Sequence, residues 1–214
     1  MYAECEPGPA HALAGIWTHR PLSSGHMSAL LEQLARDVNA SERTLRRAAA
    51  MGTIRAHRPT VYTLDVPEHE QRYLRSHWPT LAALRSALRT EPSIQCAVLF
   101  GSAARGEDTP TSDLDVLVWM IEPPAAKRHA LARRLSARTG RDVQLTDVRD
   151  AHTHPGLLLT VLRDGRVLVD RRGRWAELTA QQHTLRRRSR AYRQRLATEA
   201  DEARDFFAQT HGTE

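Results

Sequence analysis

Asp113 and Asp115 stand one residue apart at the head of the apolar run Leu114–Met120, and Gly101-Ser102 follow directly on the apolar run Ile94–Phe100. Alternate side chains of a strand share a face, so the two carboxylates point the same way while Leu114, Val116 and Val118 point into a core. Carboxylates held side by side repel at neutral pH unless a cation lies between them, and Mg²⁺ takes oxygen ligands together with substrate phosphates. Gly101 lets backbone approach a ligand closely, while the Ser102 hydroxyl and nearby amides can hold a phosphate. Arg105 adds a positive charge in the same loop, and Ser112, just ahead of the Asp pair, completes the phosphate-side candidates. A phosphate cradle beside a metal-binding carboxylate pair is the equipment of metal-assisted phosphoryl or nucleotidyl transfer.

These residues need strands and helices to place them. From Ser28 the spacing of Leu30, Leu31, Leu34 and Val38 is helical, and "NAS" at 39–41 breaks it. Ser41 reads as the N-cap of "ERTLRRAAAMGTI" and Gly52 as its stop. Two short helices across a tight turn, the second carrying Arg43, Arg46 and Arg47, fit a helix-turn-helix, with Arg55, His57 and Arg58 in a following wing. Residues 67–90 read as a helix interrupted at Pro79, with Trp78, Leu81, Leu84 and Leu88 as its apolar stripe. Strands at Ile94–Phe100, Leu114–Met120, Val143–Val148 and 165–171 alternate with helices at 125–138 and about 151–163, which argues for a small α/β sheet. A long helix from about Trp175 to Ala208 closes the chain, with six arginines in residues 186–195 and a thin seam of Leu178, Leu185, Tyr192, Leu196, Ala203 and Phe207. That seam asks for a domain or a second subunit to dock on, so a homodimer is an expectation. The expected organisation is a disordered lead at 1–25, a helix-turn-helix-like unit at 26–66, a connecting helix at 67–92, a catalytic unit at 93–172 and a basic C-terminal helix at 173–214. Met27 is an alternative start.

"LFGSAARGEDTPTSDLDVLV" resembles the signature of the DNA-polymerase-β-like nucleotidyltransferases, in particular their minimal prokaryotic members. The resemblance spans about residues 93–172 and implies an α/β (α+β) fold, a small mixed sheet flanked by helices. Here that fold would follow a winged helix-turn-helix-like unit and precede the long C-terminal helix. It further implies transfer of NMP from an NTP, ATP first among the candidates, with release of pyrophosphate. Gly101 and Ser102 would hold the β- and γ-phosphates, and Asp113 and Asp115 would bind two Mg²⁺. The family carries a third carboxylate in the middle of a later strand, and the corresponding segment here is "GRDVQLTDV". With Val143 and Leu145 facing the core, Asp142, Gln144 and Thr146 share the site face, and Gln144 falls where the acid belongs. Gln cannot serve as a base. Asp142 could substitute after a register shift, whereas Asp147 has the wrong parity unless a bulge intervenes.

These residues fit two functions. One is an Mg²⁺-dependent nucleotidyltransferase acting on RNA, a partner protein or a small hydroxyl acceptor. The other is a DNA-binding regulator or antitoxin with a degenerate, nucleotide-binding transferase domain. Lys and Arg outnumber Asp and Glu by 31 to 25, nearly all as arginine, and a pI near 10.1 permits a polyanionic partner. Cys5 and Cys96 cannot build a disulfide framework, and no window approaches a membrane span, so a cytoplasmic protein without a membrane partner is expected. His152 and His154 lack the further ligands a zinc site needs and read as capping or surface residues.

Overall fold

The computed structural model describes residues 24–57, 63–121 and 125–211. The lead expected at 1–25 lies almost wholly outside these residues, as do Cys5 and Arg58. Helices α1 (Ser24–Asp37) and α2 (Glu42–Met51) precede the long α3 (Glu68–Arg89). Then come β1 (Ile94–Phe100), α4 (Gly101–Arg105), β2 (Leu114–Met120), α5 (Ala125–Thr139) and β3 (Val143–Asp147). The chain continues through α6 (Val148–Ala151), α7 (Pro155–Asp164), β4 (Arg166–Asp170), α8 (Arg174–Ala180) and α9 (Gln182–His211).

The four strands form one mixed sheet in the order β3-β2-β1-β4, in which only the β2–β3 pair is parallel. This is the small mixed sheet flanked by helices that the sequence implies. One face, built from Ala97, Leu99, Leu114, Val116, Val118, Val143 and Leu168, packs against buried residues of α1, α2, α3 and α5. The other face carries Val98, Phe100, Leu117 and Val167 under α6, α7 and the start of α9. Strands covered on both sides read as continuous apolar runs, which is why β1 and β2 show so little alternation.

Ser41 caps α2 by accepting from the Thr44 amide, and Gly52 ends it in the left-handed conformation, both as the sequence indicates. The helical unit docks on the free edge of the sheet. Gly52 O accepts from Val167 N at 3.1 Å, and the Thr53 hydroxyl donates to Val167 O. The first cluster of buried residues runs without interruption from Leu31 through Leu168, so the helices and the sheet share a core.

Several expected elements differ in detail. α3 passes straight through Pro79, because Trp78, Leu81, Leu84 and Leu88 are all buried and their packing outweighs the one backbone bond a proline removes. The helix expected at 151–163 is two, since His152–His154 break it and Pro155 starts the second at its first position. The C-terminal helix is likewise split at Gln181 into α8 and α9. The turn after Phe100 is itself helical, as α4. Among the described residues no helix is long and apolar enough to cross a membrane.

Candidate active site

The two signature pieces meet at one end of the sheet. β1 runs antiparallel to β2 with Phe100 opposite Asp115, so the residue after Phe100 lands beside that carboxylate. Gly101 sits at φ +76, and a Cβ built there would lie 2.5 Å from Asp115 Oδ2. Only glycine satisfies both the backbone turn and the contact. Ser102 follows it in the first turn of α4 and is partly exposed.

Asp113 is exposed and Asp115 half-buried. Burial, and then the charge of Asp113, push the Asp115 carboxyl above its ordinary value. β3 runs parallel to β2 with Gln144 opposite Asp115, and the Gln144 amide Nε2 donates to Asp113 Oδ2 at 2.7 Å. An uncharged amide thus stands beside the Asp pair on the neighbouring strand. Two carboxylates with no ion-pair partner among the described residues, open to solvent on one side, are an oxygen donor set that suits Mg²⁺ completed by substrate phosphates. Among the described residues no cluster of three His, Cys, Asp or Glu side chains could close around a metal by itself.

The remaining candidates divide. Asp142 precedes β3, and its Oδ1 accepts from the Val143 amide at 3.0 Å and from Ser136 Oγ on α5 at 3.4 Å. Parity fails there because the residue lies outside the strand, free to turn its carboxylate toward the helix. Asp147 is 2% exposed and caps α6, accepting from Arg149 N at 2.9 Å and from the Arg149 guanidinium. Arg105 lies on the flank of α4, where it pairs with Glu107 at 2.7 Å and Asp164 at 3.4 Å. The Ser112 hydroxyl accepts from Thr109 N at 3.0 Å and shapes the loop before Asp113. His152 and His154 stand at the two sides of the α6–α7 break, and His154 Nδ1 lies 2.8 Å from Thr153 Oγ1.

Of the basic residues ahead of the sheet, Arg43 and Arg47 are exposed one helical turn apart, while Arg46 pairs with Glu42 at 3.1 Å. Arg55 is drawn inward: its guanidinium donates to Asp164 O at 2.6 Å and its amide to Glu70 at 3.1 Å. These contacts tie the helical unit to the sheet domain, and beyond Arg55 the chain makes an antiparallel bridge between His57 and Asp65.

The structure adds a set of residues the sequence reading missed, lying directly beneath the site. Arg166 and Glu70, each 1% exposed, form a two-pronged ion pair at 2.5 and 3.0 Å. Arg166 also donates to Ala104 O at 2.7 Å and lies 3.5 Å over the ring of Tyr73. The Tyr73 hydroxyl donates to Ala103 O at 3.0 Å, and burial pushes its pKa up to about 12. Together they hold the carbonyl end of α4, whose other end begins at Gly101. His77 stacks on Tyr73 at 4.3 Å and reaches Asp108 at 2.8 Å, and Arg141 meets the second Asp108 oxygen at 2.6 Å. Arg141 then donates twice to Ser112 O, one residue before Asp113. Burial alone would raise the Asp108 carboxyl, but hydrogen bonds from His77 and Arg141 hold it below its ordinary value. A single chain of contacts thus fixes both α4 and the loop that delivers the Asp pair. Nothing in sequence spacing pairs Glu70 with Arg166, 96 positions apart, and their polar neighbours Glu68, His69, Gln71 and Asp164 gave no sign that these two would be buried.

Residues 83–174 match the family model described as "Polymerase beta, Nucleotidyltransferase". Among solved structures, a toxin–antitoxin complex with AMP-PNP is similar at 24% identity and a TM-score of 0.49, over 56% of this chain and 97% of that one. A tri-AMPylated Shewanella oneidensis HEPN toxin in complex with MNT antitoxin is similar at 23% identity and a TM-score of 0.46, over 56% of this chain and 95% of that one. No curated protein matches the chain.

Proposed function

We propose, from the match of residues 83–174 to the "Polymerase beta, Nucleotidyltransferase" family model, that the chain moves an NMP unit from an Mg²⁺-bound NTP, ATP first, to a hydroxyl acceptor. The observation that carries the reading is the seating of Gly101 against Asp115, which sets a side-chain-free turn beside an uncompensated carboxylate pair. The amides and hydroxyl at Gly101 and Ser102 would hold the β- and γ-phosphates, and Asp113 and Asp115 would hold the metal. Bound there, Mg²⁺ supplies charge neutralisation of the phosphates and of the leaving pyrophosphate. The acceptor oxygen attacks the α-phosphorus, the bond from that phosphorus to the pyrophosphate oxygen breaks, and the acceptor proton leaves to solvent. Gln144 accepts no proton at this position and instead fixes Asp113 through its amide. RNA, a partner-protein hydroxyl and a small alcohol remain the acceptor classes; the exposed Arg43 and Arg47 favour an anionic one.

The test is transfer of label from α-³²P NTPs, with pyrophosphate release, for wild type and Asp115→Ala against RNA and protein acceptors. Loss of label with Asp115→Ala establishes the enzyme, and a gain on Gln144→Asp identifies position 144 as the missing acid. A specific observation also supports a second reading: the amide at Gln144 leaves the site without a third carboxylate, as in a domain that binds nucleotide without transferring it. Binding of NTP with no label transfer to any acceptor would decide for that reading.

A further inference from the structure

The first turns of α9 lie against the body, with 1% of Leu185 and 7% of Ser189 exposed. The helix then leaves it, and every residue from Arg190 to Asp201 is exposed. At about 1.5 Å per residue this projects some 18 Å of helix into solvent before the last turns begin. A helical stretch of that length without tertiary contact is only marginally stable in water, even when its first turns are anchored.

The stripe that docks the helix does not stop where the body ends. Leu185, Ser189, Tyr192 and Leu196 follow one another at spacings of four, three and four, the repeat of a helix–helix seam. Tyr192 is 38% and Leu196 45% exposed, two of the few large apolar side chains standing in solvent among the described residues. The charges along the helix are divided at the same point. Residues 186–195 hold six arginines and no acid, whereas 199–205 hold Glu199, Asp201, Glu202 and Asp205 against the single Arg204. Two copies laid side by side in the same direction put arginines against arginines. Laid in opposite directions about Leu196, each basic half meets the partner's acidic half.

We propose that the free part of α9 is a dimerisation arm, on which a second copy of this chain docks antiparallel along the Tyr192–Leu196 seam. A uniform polyanion such as RNA fits the basic half of the arm but is repelled by the acidic half, which is why a second copy is the better occupant. The inference stands independently of the transfer chemistry.

Sedimentation of the full chain from about 1 to about 100 µM, the range in which a contact of this small area dissociates, is the experiment. A reversible dimer is expected, weakened at least tenfold by Leu196→Glu, a substitution at an exposed position that leaves the far-ultraviolet circular dichroism unchanged. Arg190→Glu with Arg193→Glu weakens it similarly, and adding Glu199→Arg with Glu202→Arg, the positions that face them across Leu196, in the same chain restores it. A chain that stays monomeric throughout, or a dimer indifferent to Leu196→Glu, overturns the proposal. So does a monomer whose α9 arginines bind RNA with steep salt dependence, which would make the arm a nucleic-acid surface.

Discussion

Two charge clusters lie close together in this fold and are built on opposite principles. Glu70 and Arg166 are sealed from water, and each is saturated: Glu70 takes Arg166 twice and the Arg55 amide, and Arg166 also reaches Ala104 O and Thr53 O. Asp113 and Asp115 are like charges on one strand face whose described neighbour is an amide, and burial with mutual repulsion raises the Asp115 carboxyl. A saturated cluster contributes to the fold. An unsaturated one costs it stability and is retained where a ligand from outside completes it. The contrast teaches that the charge-bearing residues of this chain cannot be ranked by type alone, since both clusters contain an acid next to the same helix α4.

The largest effect follows from breaking the saturated side. Arg166→Met leaves the Glu70 carboxylate buried without its partner and should cost about 3–5 kcal/mol, read as a lowered midpoint in urea unfolding. Asp115→Asn should do the opposite, leaving the thermal midpoint equal or higher without Mg²⁺ while abolishing the rise in Tm that Mg²⁺ and NTP give wild type. Comparable destabilisation by both variants would erase the distinction between the clusters.

Gly101→Ala sharpens the comparison at the junction. Its stability cost should be about 1 kcal/mol from the left-handed backbone, whereas transfer should fall by about a hundredfold, because the methyl displaces Asp115. Equal losses of stability and activity would instead make Gly101 a folding residue only.

Asp108 belongs to the saturated class, and its contribution has a pH signature. Its carboxyl is held below the ordinary 3.8, so its stabilisation is complete above that value and is lost as pH falls through the lower folded value. Asp108→Asn should therefore lower Tm at neutral pH, by the equivalent of about 1–3 kcal/mol, and flatten the acid limb of the Tm–pH curve. A parallel downward shift of the whole curve would show that the charge of Asp108 is not what its partners hold. The smallest effect is expected at Gln144→Ala, an exposed position whose loss should change stability by less than about 0.5 kcal/mol.

Much of this was legible before any coordinates. The runs at Ile94–Phe100 and Leu114–Met120 could only be buried strands, and the caps Ser41 and Gly52 bounded α2 because both act through local backbone geometry. The offset of Gly101-Ser102 from Asp113 and Asp115 pointed to phosphate chemistry, and the family resemblance together with strand parity set Gln144 on the face of the Asp pair, where it lies opposite Asp115. What tertiary structure decided were the relations local rules cannot carry. Parity predicted Asp142 on the site face, but parity ends with the strand, and Ser136 on α5 took the carboxylate instead. Arg55 read as a wing residue and Arg105 as a phosphate-side charge, and each also reaches an oxygen of Asp164, more than 50 positions along the chain, which local rules could not foresee. Periodicity and capping act between residues a few positions apart and so are written in the sequence. An ion pair such as Glu70–Arg166, 96 positions apart, exists only after the sheet edge and α3 have met, and that meeting is set by the packing of the whole core.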